Sequence, residues 1–394
     1  MDELGPTSRR RAARLPREHL LGRAGGAPGP LVIAFGGIHG NEQAGVAALQ
    51  RVLAQLEDEG LELAGELAAY AGNLQALALG QRYLEDDLNR VWTADVIADV
   101  MAAGSAAELT AERRELRELL DVLESEIRAA GSRRVIFLDL HSTSAPGAPF
   151  VVMGDTLQNR KLAFPLRAPV LLGLEENVEG TLLSWFGVQG HVAIGFEGGR
   201  HEDPETAAHH EAALWVMLEE SGLLRGRAPT LISKSQKLLT RSARGLPRFV
   251  AVTHRHHVEP ESGFRMEPGY VNFDQVKRGE RVAADVQGAI GAPFTGRMLL
   301  PLYQGQGEDG FFLGRPVRGL WLKFSSLLRR LRLERALPLL PGIRRDPEVE
   351  GGLLVSRRVK IWHALDLFHL LGYWKQSEDG SVLRIARRRE GSAV

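Results

Sequence analysis

Three short runs of branched and aromatic residues constrain this chain most: LVIAFG at 31–36, VIFLDL at 135–140 and VAIGF at 192–196. Each is too short for a helix and lacks the polar alternation of a strand with one wet face, so each reads as a strand covered on both sides. Such strands need helices above and below them, and the sequence supplies these. Between 42 and 57, Ala44, Val46, Ala47, Leu49, Val52, Leu53 and Leu56 fall largely on one side of a helix, and 108–129 repeats the pattern under charged outer positions. GELAAYAGN at 65–73 reads as a further strand ending in a loop. This alternation predicts a three-layer α/β domain over residues 30–230.

The flanks read differently. Residues 1–29 contain no apolar core of the kind a secretory signal needs and are set apart as a flexible leader. In 231–318, short runs such as RFVAVTH and RMLLPL are punctuated by EPGY, KRGE and IGAP, which predicts a small β-rich domain. Two apolar, arginine-studded segments at 320–340 and 359–374 then read as a helical extension over 319–394. The chain balances 49 basic against 49 acidic residues, yet from Arg315 onward 17 are basic and 8 acidic. Arginines on wet helix faces account for that bias. WLKFSSLLRRLRL has the make-up of a membrane-surface helix, but packing against the body or a second subunit is the preferred expectation. No run approaches the roughly 18 apolar residues of a bilayer span, so a cytoplasmic location is expected.

The absence of cysteine removes disulfides, thiolate metal sites and thiol nucleophiles together, so any metal must sit on His, Asp and Glu. Two H-x-x-E pairs occur. His39 and Glu42 follow a buried strand and two glycines at the start of a helix, where open α/β sheets place their ligand crevice. His256 and Glu259, with His254 and His257 beside them, lie in the β-rich segment without a third partner and read as surface or interface histidines. A hydrolytic zinc takes three protein ligands and leaves one position open. His141, at the end of VIFLDLHST, is the candidate third ligand; alternatively it is a structural histidine oriented by Asp139, two residues earlier.

Glu197 in VAIGFEGG stands at another strand end as a candidate general base, or as an ordinary loop acid. In QRYLEDDLNRVW, Arg82, Asn89 and Arg90 gather two guanidinium forks and an amide for carboxylate or oxyanion binding, with Asp87 able to orient a ligating histidine. The same segment is also compatible with a loop of internal ion pairs.

Taken in order, GGIHGNEQAG, RYLEDDLNR, DLHST and FEGG resemble the succinylglutamate desuccinylase and aspartoacylase family, a branch of the zinc carboxypeptidase fold. The resemblance implies a mixed sheet, one zinc per chain on His39, Glu42 and His141, and Glu197 as base and then acid. It further implies Arg82 at the scissile carbonyl, Asn89 and Arg90 on a substrate carboxylate, and Asp87 behind His39. Residues 269–312 resemble the family's C-terminal β domain, lipoyl-like or barrel-like, which narrows access to the site; beyond about 316 there is no counterpart. Two departures matter. The family's aspartate-releasing members carry an arginine about ten residues before the catalytic glutamate, where SWFGVQGH has none, and a tyrosine where EDGFFL offers Phe311 or Phe312.

The expected activity is therefore deacylation of a small, less acidic N-acyl amino acid or related amide by a zinc hydrolase. Carboxypeptidase or esterase chemistry in the same site, and a catalytically idle zinc-binding protein, are the alternatives. A homo-oligomer is compatible with the sequence. No G-x-S-x-G elbow or G-K-[ST] loop occurs, GQGEDG at 305–310 runs into Gly314 and Pro316 rather than a helix, and no nucleic-acid footprint is present.

Overall fold

The buried runs become adjacent strands at the centre of one mixed sheet. The computed structural model describes residues 14–26, 28–259, 261–349, 351–356, 368, 371–379 and 382–388. Its first strands are β1 (Leu20–Gly25), β2 (Leu31–Gly36), β3 (Glu66–Ala71), β4 (Val135–Thr143), β5 (Phe150–Met153), β6 (Val170–Leu172), β7 (Val192–Arg200) and β8 (Phe249–His257). Between them run α1 (Gln43–Asp58), α2 (Leu74–Leu79), α3 (Ala94–Ala102), α4 (Ala111–Ala130), α5 (Leu157–Ala163), α6 (Leu182–Val188), α7 (Pro204–Glu220) and α8 (Pro229–Ser242). Strands β3, β2, β4 and β7 lie side by side and parallel, while β5 reverses direction against β7.

Period-two alternation decides which face each side chain covers. Val32, Ala34, Ile136, Leu138 and Leu140 pack with α1, α7 and α8 on one face. Leu31, Ile33, Phe35, Val135 and Phe137 pack with α3, α4 and α6 on the other. Both faces being dry, β2 and β4 are buried along their whole length. The three-layer α/β expectation is met.

Three features differ from the sequence reading. Residues 20–25, assigned to a flexible leader, form β1, an edge strand antiparallel to β3. An edge strand is half exposed and carries no buried run, which hid it; residues 1–13 lie outside the described residues. Helix α8, assigned to the β-rich segment, packs on α7 and places Ile232 and Leu239 in the main core. That segment adds β9 (Arg265–Met266), β10 (Gln275–Val276), β11 (Arg281–Asp285), β12 (Gly288–Gly291), β13 (Gly296–Leu299) and β14 (Asp309–Pro316). Pairing of β14 with β8 carries the main sheet on through β13 to β10, and β12, β11 and β9 make a small separate sheet.

The extension begins as α9 (Gly319–Arg330) followed by a 3-10 stretch at Leu333–Leu339. It continues as an antiparallel sheet of β15 (Ile343–Arg345), β16 (Leu353–Ser356), β17 (Tyr373–Asp379) and β18 (Val382–Arg387). In β18, Leu383 and Ile385 face a small core while Arg384 between them faces outward, a period of two rather than a helical one. Most of the second segment expected to be helical, 359–374, lies outside the described residues, and Tyr373 and Trp374 belong to β17.

Candidate active site

Two glycines let the chain leave β2 and enter α1 in a tight bend. A Cβ on Gly36 would lie 2.5 Å from the carbonyl carbon of Gly45, so only glycine lets the strand touch the helix there. Gly37 has φ +72°, a left-handed conformation that side chains disfavour. His39 and Glu42 therefore project from the C-terminal end of β2. Because β4 and β7 run parallel to β2, their ends open on the same side, and His141 and Glu197 face each other as register partners there.

The structure brings His39, Glu42 and His141 together. One donor atom from each lies within 4.8 Å of the others, and all three residues are buried. Nδ1 of His39 is 2.8 Å from Oε1 of Glu42, and Nδ1 of His141 is 3.1 Å from Oε2. The outer nitrogens are each held by a further carboxylate: Nε2 of His39 by Asp87 at 3.1 Å, and Nε2 of His141 by Asp139 at 2.7 Å. The backbone N–H of Ser142 donates to Oε2 of Glu42 at 2.7 Å. A carboxylate behind each imidazole fixes ring orientation and tautomer, which is how histidines are prepared for a cation. The alternative in which Asp139 only orients a structural histidine is not exclusive of this, since the inner nitrogen of His141 remains directed at Glu42.

Charge follows geometry. Burial alone would raise the Glu42 carboxyl, but His39 and His141 hold it well below the usual range. Burial disfavours protonated His141, yet Asp139 and Glu42 raise it well above an ordinary histidine. Glu197 behaves differently from Glu42 and Asp87. It keeps part of its surface open to the cavity, but its Oε2 is shut away from water and from every donor. Burial pushes its carboxyl up to about 8, with nearby His141 only partly offsetting this.

Gly198 explains the close packing behind it, since a Cβ there would meet the His210 ring at 2.4 Å. That ring hydrogen-bonds the His141 carbonyl oxygen at 2.8 Å.

Arg82 reaches Oδ2 of Asp87 at 3.1 Å and lies 3.7 Å from Glu42. Asn89 takes the backbone N–H of Leu182 on its oxygen and brings its amide nitrogen within 3.5 Å of His141. Arg90 lines the same cavity, paired with Asp309 at 2.8 Å. The internal ion pairs that were the alternative reading of this loop thus coexist with its position at the site.

The cavity measures about 910 Å³ and contains every residue named above as ligand, base or substrate contact. The loop at 300–309 forms one wall, and Phe312 faces in, whereas Phe311 packs elsewhere. Several lining residues were not anticipated. His201 bonds Ser142 at 2.8 Å and Gln304 at 3.2 Å. Trp374 and Arg388 come from the extension, and Arg388 pairs with Glu175 at 2.5 Å and stacks on Trp374. Nothing in the sequence links residues more than 200 positions apart.

The histidine cluster of β8 makes no such centre. His256 stacks on Phe311 with ring centroids 4.9 Å apart, and His257 faces Glu259 at 3.7 Å. A second grouping among the described residues, His19 with Glu115 and Glu118, is an ion pair tying β1's approach to α4.

Residues 28–156 match the family model described as the succinylglutamate desuccinylase/aspartoacylase catalytic domain. A stretch of 61 residues is 47% identical to the succinylglutamate desuccinylase of Photorhabdus laumondii, spanning 16% of this chain and 19% of that protein. A longer stretch of 155 residues is 34% identical to the probable aspartoacylase of Parasynechococcus marenigrum, spanning 38% of this chain and 43% of the relative. The match thus spans less than half of either relative's length. The succinylglutamate desuccinylase/aspartoacylase of Rhodobacter sphaeroides shares the fold, with a TM-score of 0.52 at 17% identity over 76% of this chain and 88% of that one.

Proposed function

Because the chain belongs to the succinylglutamate desuccinylase/aspartoacylase family, we propose that it is a zinc-dependent hydrolase cleaving the amide bond of a small N-acyl amino acid or related carboxylate-bearing amide. The observation that supports this most is the convergence of His39, Glu42 and His141, with Asp87 and Asp139 holding the outer imidazole nitrogens. Two imidazoles and one carboxylate suit zinc and leave room for a fourth ligand. When bound there, zinc supplies Lewis acidity to a carbonyl and makes water easier to deprotonate.

The chain's own residues account for the remaining chemistry. Glu197 takes a proton from the attacking water and returns it to the leaving amine as the C–N bond breaks. A carboxyl whose hold on a proton is strengthened by burial can keep that proton between the two transfers. Arg82, buried against Asp87 and Glu42, is placed to stabilise charge that develops on the carbonyl oxygen. Asn89 and Arg90 hold the substrate carboxylate.

Substrate class follows from the walls. The segment at 183–191 offers Leu183, Ser184, Val188 and Gln189 rather than an arginine, and Phe312 brings no hydroxyl. Unpaired buried charge is costly, and at these two positions a second substrate carboxylate would find no partner, while Arg388 across the cavity is already paired with Glu175 and Glu176. An N-acyl amino acid with an uncharged side chain or acyl group fits better than acetylaspartate or succinylglutamate. Peptide or ester cleavage in the same site is the second reading. Walls from the 300–309 loop and the extension favour a small free substrate over a long polypeptide.

The test combines metal analysis with a panel of N-acyl amino acids, peptides and esters, assayed with and without chelator. Glu197→Gln should lower turnover by at least about 100-fold while zinc content stays unchanged. Near-normal turnover in that variant would remove Glu197 from the reaction, and a zinc-loaded protein inert on the whole panel would support an idle binding protein.

A further inference from the structure

Helix α9 is mounted with its apolar side outward. Its buried residues are Leu322, Ser325 and Arg329. Leu320, Trp321, Phe324, Leu327 and Leu331 occupy the opposite face and are exposed, Leu320 at 76% and Trp321 at 53%. Polar contacts hold this orientation. Arg329 donates to the carbonyl and carboxylate of Asp155, both at 2.6 Å. Arg160 reaches from α5 to the Leu322 carbonyl at 2.9 Å and to the Ser325 hydroxyl at 3.0 Å. Rotating the apolar face inward would unpair buried guanidinium groups, which costs more than the greasy surface gains.

The exposed charge along this stretch of chain is of one sign. Every exposed charged side chain between 315 and 345 is basic, Lys323, Arg330, Arg332 and Arg335 among them. The acids of this stretch and its edge, Glu334 and Asp346, are buried and paired with Arg387 and Arg384. Eight of the fifteen large exposed apolar side chains among the described residues fall between 320 and 340. Single exposed leucines are ordinary, whereas a contiguous apolar patch rimmed by charge marks a docking surface.

We propose that α9 and the turn following it seat the protein on an anionic membrane surface. An apolar stripe containing tryptophan inserts at the headgroup boundary, and flanking Lys and Arg side chains reach up to acidic lipid headgroups. A second copy of the chain is disfavoured, because two-fold pairing through this face would press one basic rim onto another. The proposal is independent of the hydrolase reading: no residue of this patch lines the cavity.

Flotation of the full-length protein with vesicles tests it, using phosphatidylcholine alone and phosphatidylcholine containing phosphatidylglycerol, at low and high salt. The protein should float with the anionic vesicles, lose most binding at high salt and ignore the neutral ones. Trp321→Ser with Phe324→Ser should abolish flotation, and Lys323→Glu with Arg330→Glu should weaken it by more than about tenfold. Both variants should retain wild-type unfolding midpoints and turnover. Absence of flotation on anionic vesicles, or unchanged flotation of the Trp321/Phe324 variant, overturns the proposal. So does a dimer in sedimentation that the same variant dissolves while vesicles fail to bind.

Discussion

Replacing Asp155 with Asn tests whether buried charge holds the C-terminal extension to the body. Asp155 accepts from Arg160 at 2.5 and 2.7 Å and from Arg329 at 2.6 Å. Both guanidinium side chains are withdrawn from water, Arg329 completely. Burial alone would raise the Asp155 carboxyl, but Arg329 and Arg160 outweigh it and hold it far below the usual carboxylate range. Asparagine keeps the shape and one acceptor oxygen, but aims an amide donor at two cations and removes the neutralising charge. Two charge-assisted contacts at Oδ2 are lost, worth roughly 1.5–3 kcal/mol each. Breaking one member out of a buried ionic cluster costs about 3–5 kcal/mol, in the same range.

Urea unfolding at neutral pH should therefore show a midpoint displaced to lower urea with an unchanged slope. Acid titration adds a second readout. The folded carboxyl titrates below its unfolded value of 3.8, so its stabilisation is present above that pH and is lost as pH falls through the folded value. The gap between wild type and Asp155→Asn should hold at neutral pH and close on strong acidification. A loss below about 1 kcal/mol would mean that the cluster behaves as a solvent-screened surface pair, and α9 would not be pinned as described.

Asp139→Asn removes the negative charge behind His141 and should weaken zinc binding by about 10–100-fold in chelator competition, with His39 and Glu42 intact. Gly198→Ala forces a Cβ against the His210 ring and should destabilise the fold by about 1–3 kcal/mol, read by urea denaturation, with turnover reduced because His210 supports the His141 backbone. At His19, burial disfavours the charged ring, but Glu115 outweighs it and raises the histidine above 6.5. Its contribution is complete below 6.5 and disappears as pH rises through the raised value, so the stability advantage of wild type over His19→Gln should shrink with increasing pH.

Local pattern revealed the elements that are buried on both faces. β2, β4 and β7 are continuous apolar runs, so their place at the sheet centre followed from residue type. β1 escaped notice because an edge strand alternates with solvent and includes Arg23 and three glycines at or beside its course. The extension's strands escaped because apolar residues spaced between arginines satisfy helical and extended periods over short stretches alike. His39 and Glu42 were legible from spacing and from the glycines before them. His141 and Glu197 were legible from their position at strand ends. Asp87 and Asp139 were visible as candidates, but which carboxylate stands behind which imidazole was settled by distance.

The order of residues determined the strands, the helices around them and the chemical character of the ligand and base candidates, because those properties depend on neighbours a few positions away. Tertiary packing decided which distant charges meet: Arg90 with Asp309, Arg388 with Glu175, and Asp155 with Arg329. It also decided which side of α9 faces water. Apolar periodicity alone would turn that helix inward, and the buried Asp155–Arg329 pair, whose members lie 174 residues apart, reverses it. Periodicity is a local quantity; the energy of an ion pair depends on burial and separation in space, and neither is written in any single stretch of chain.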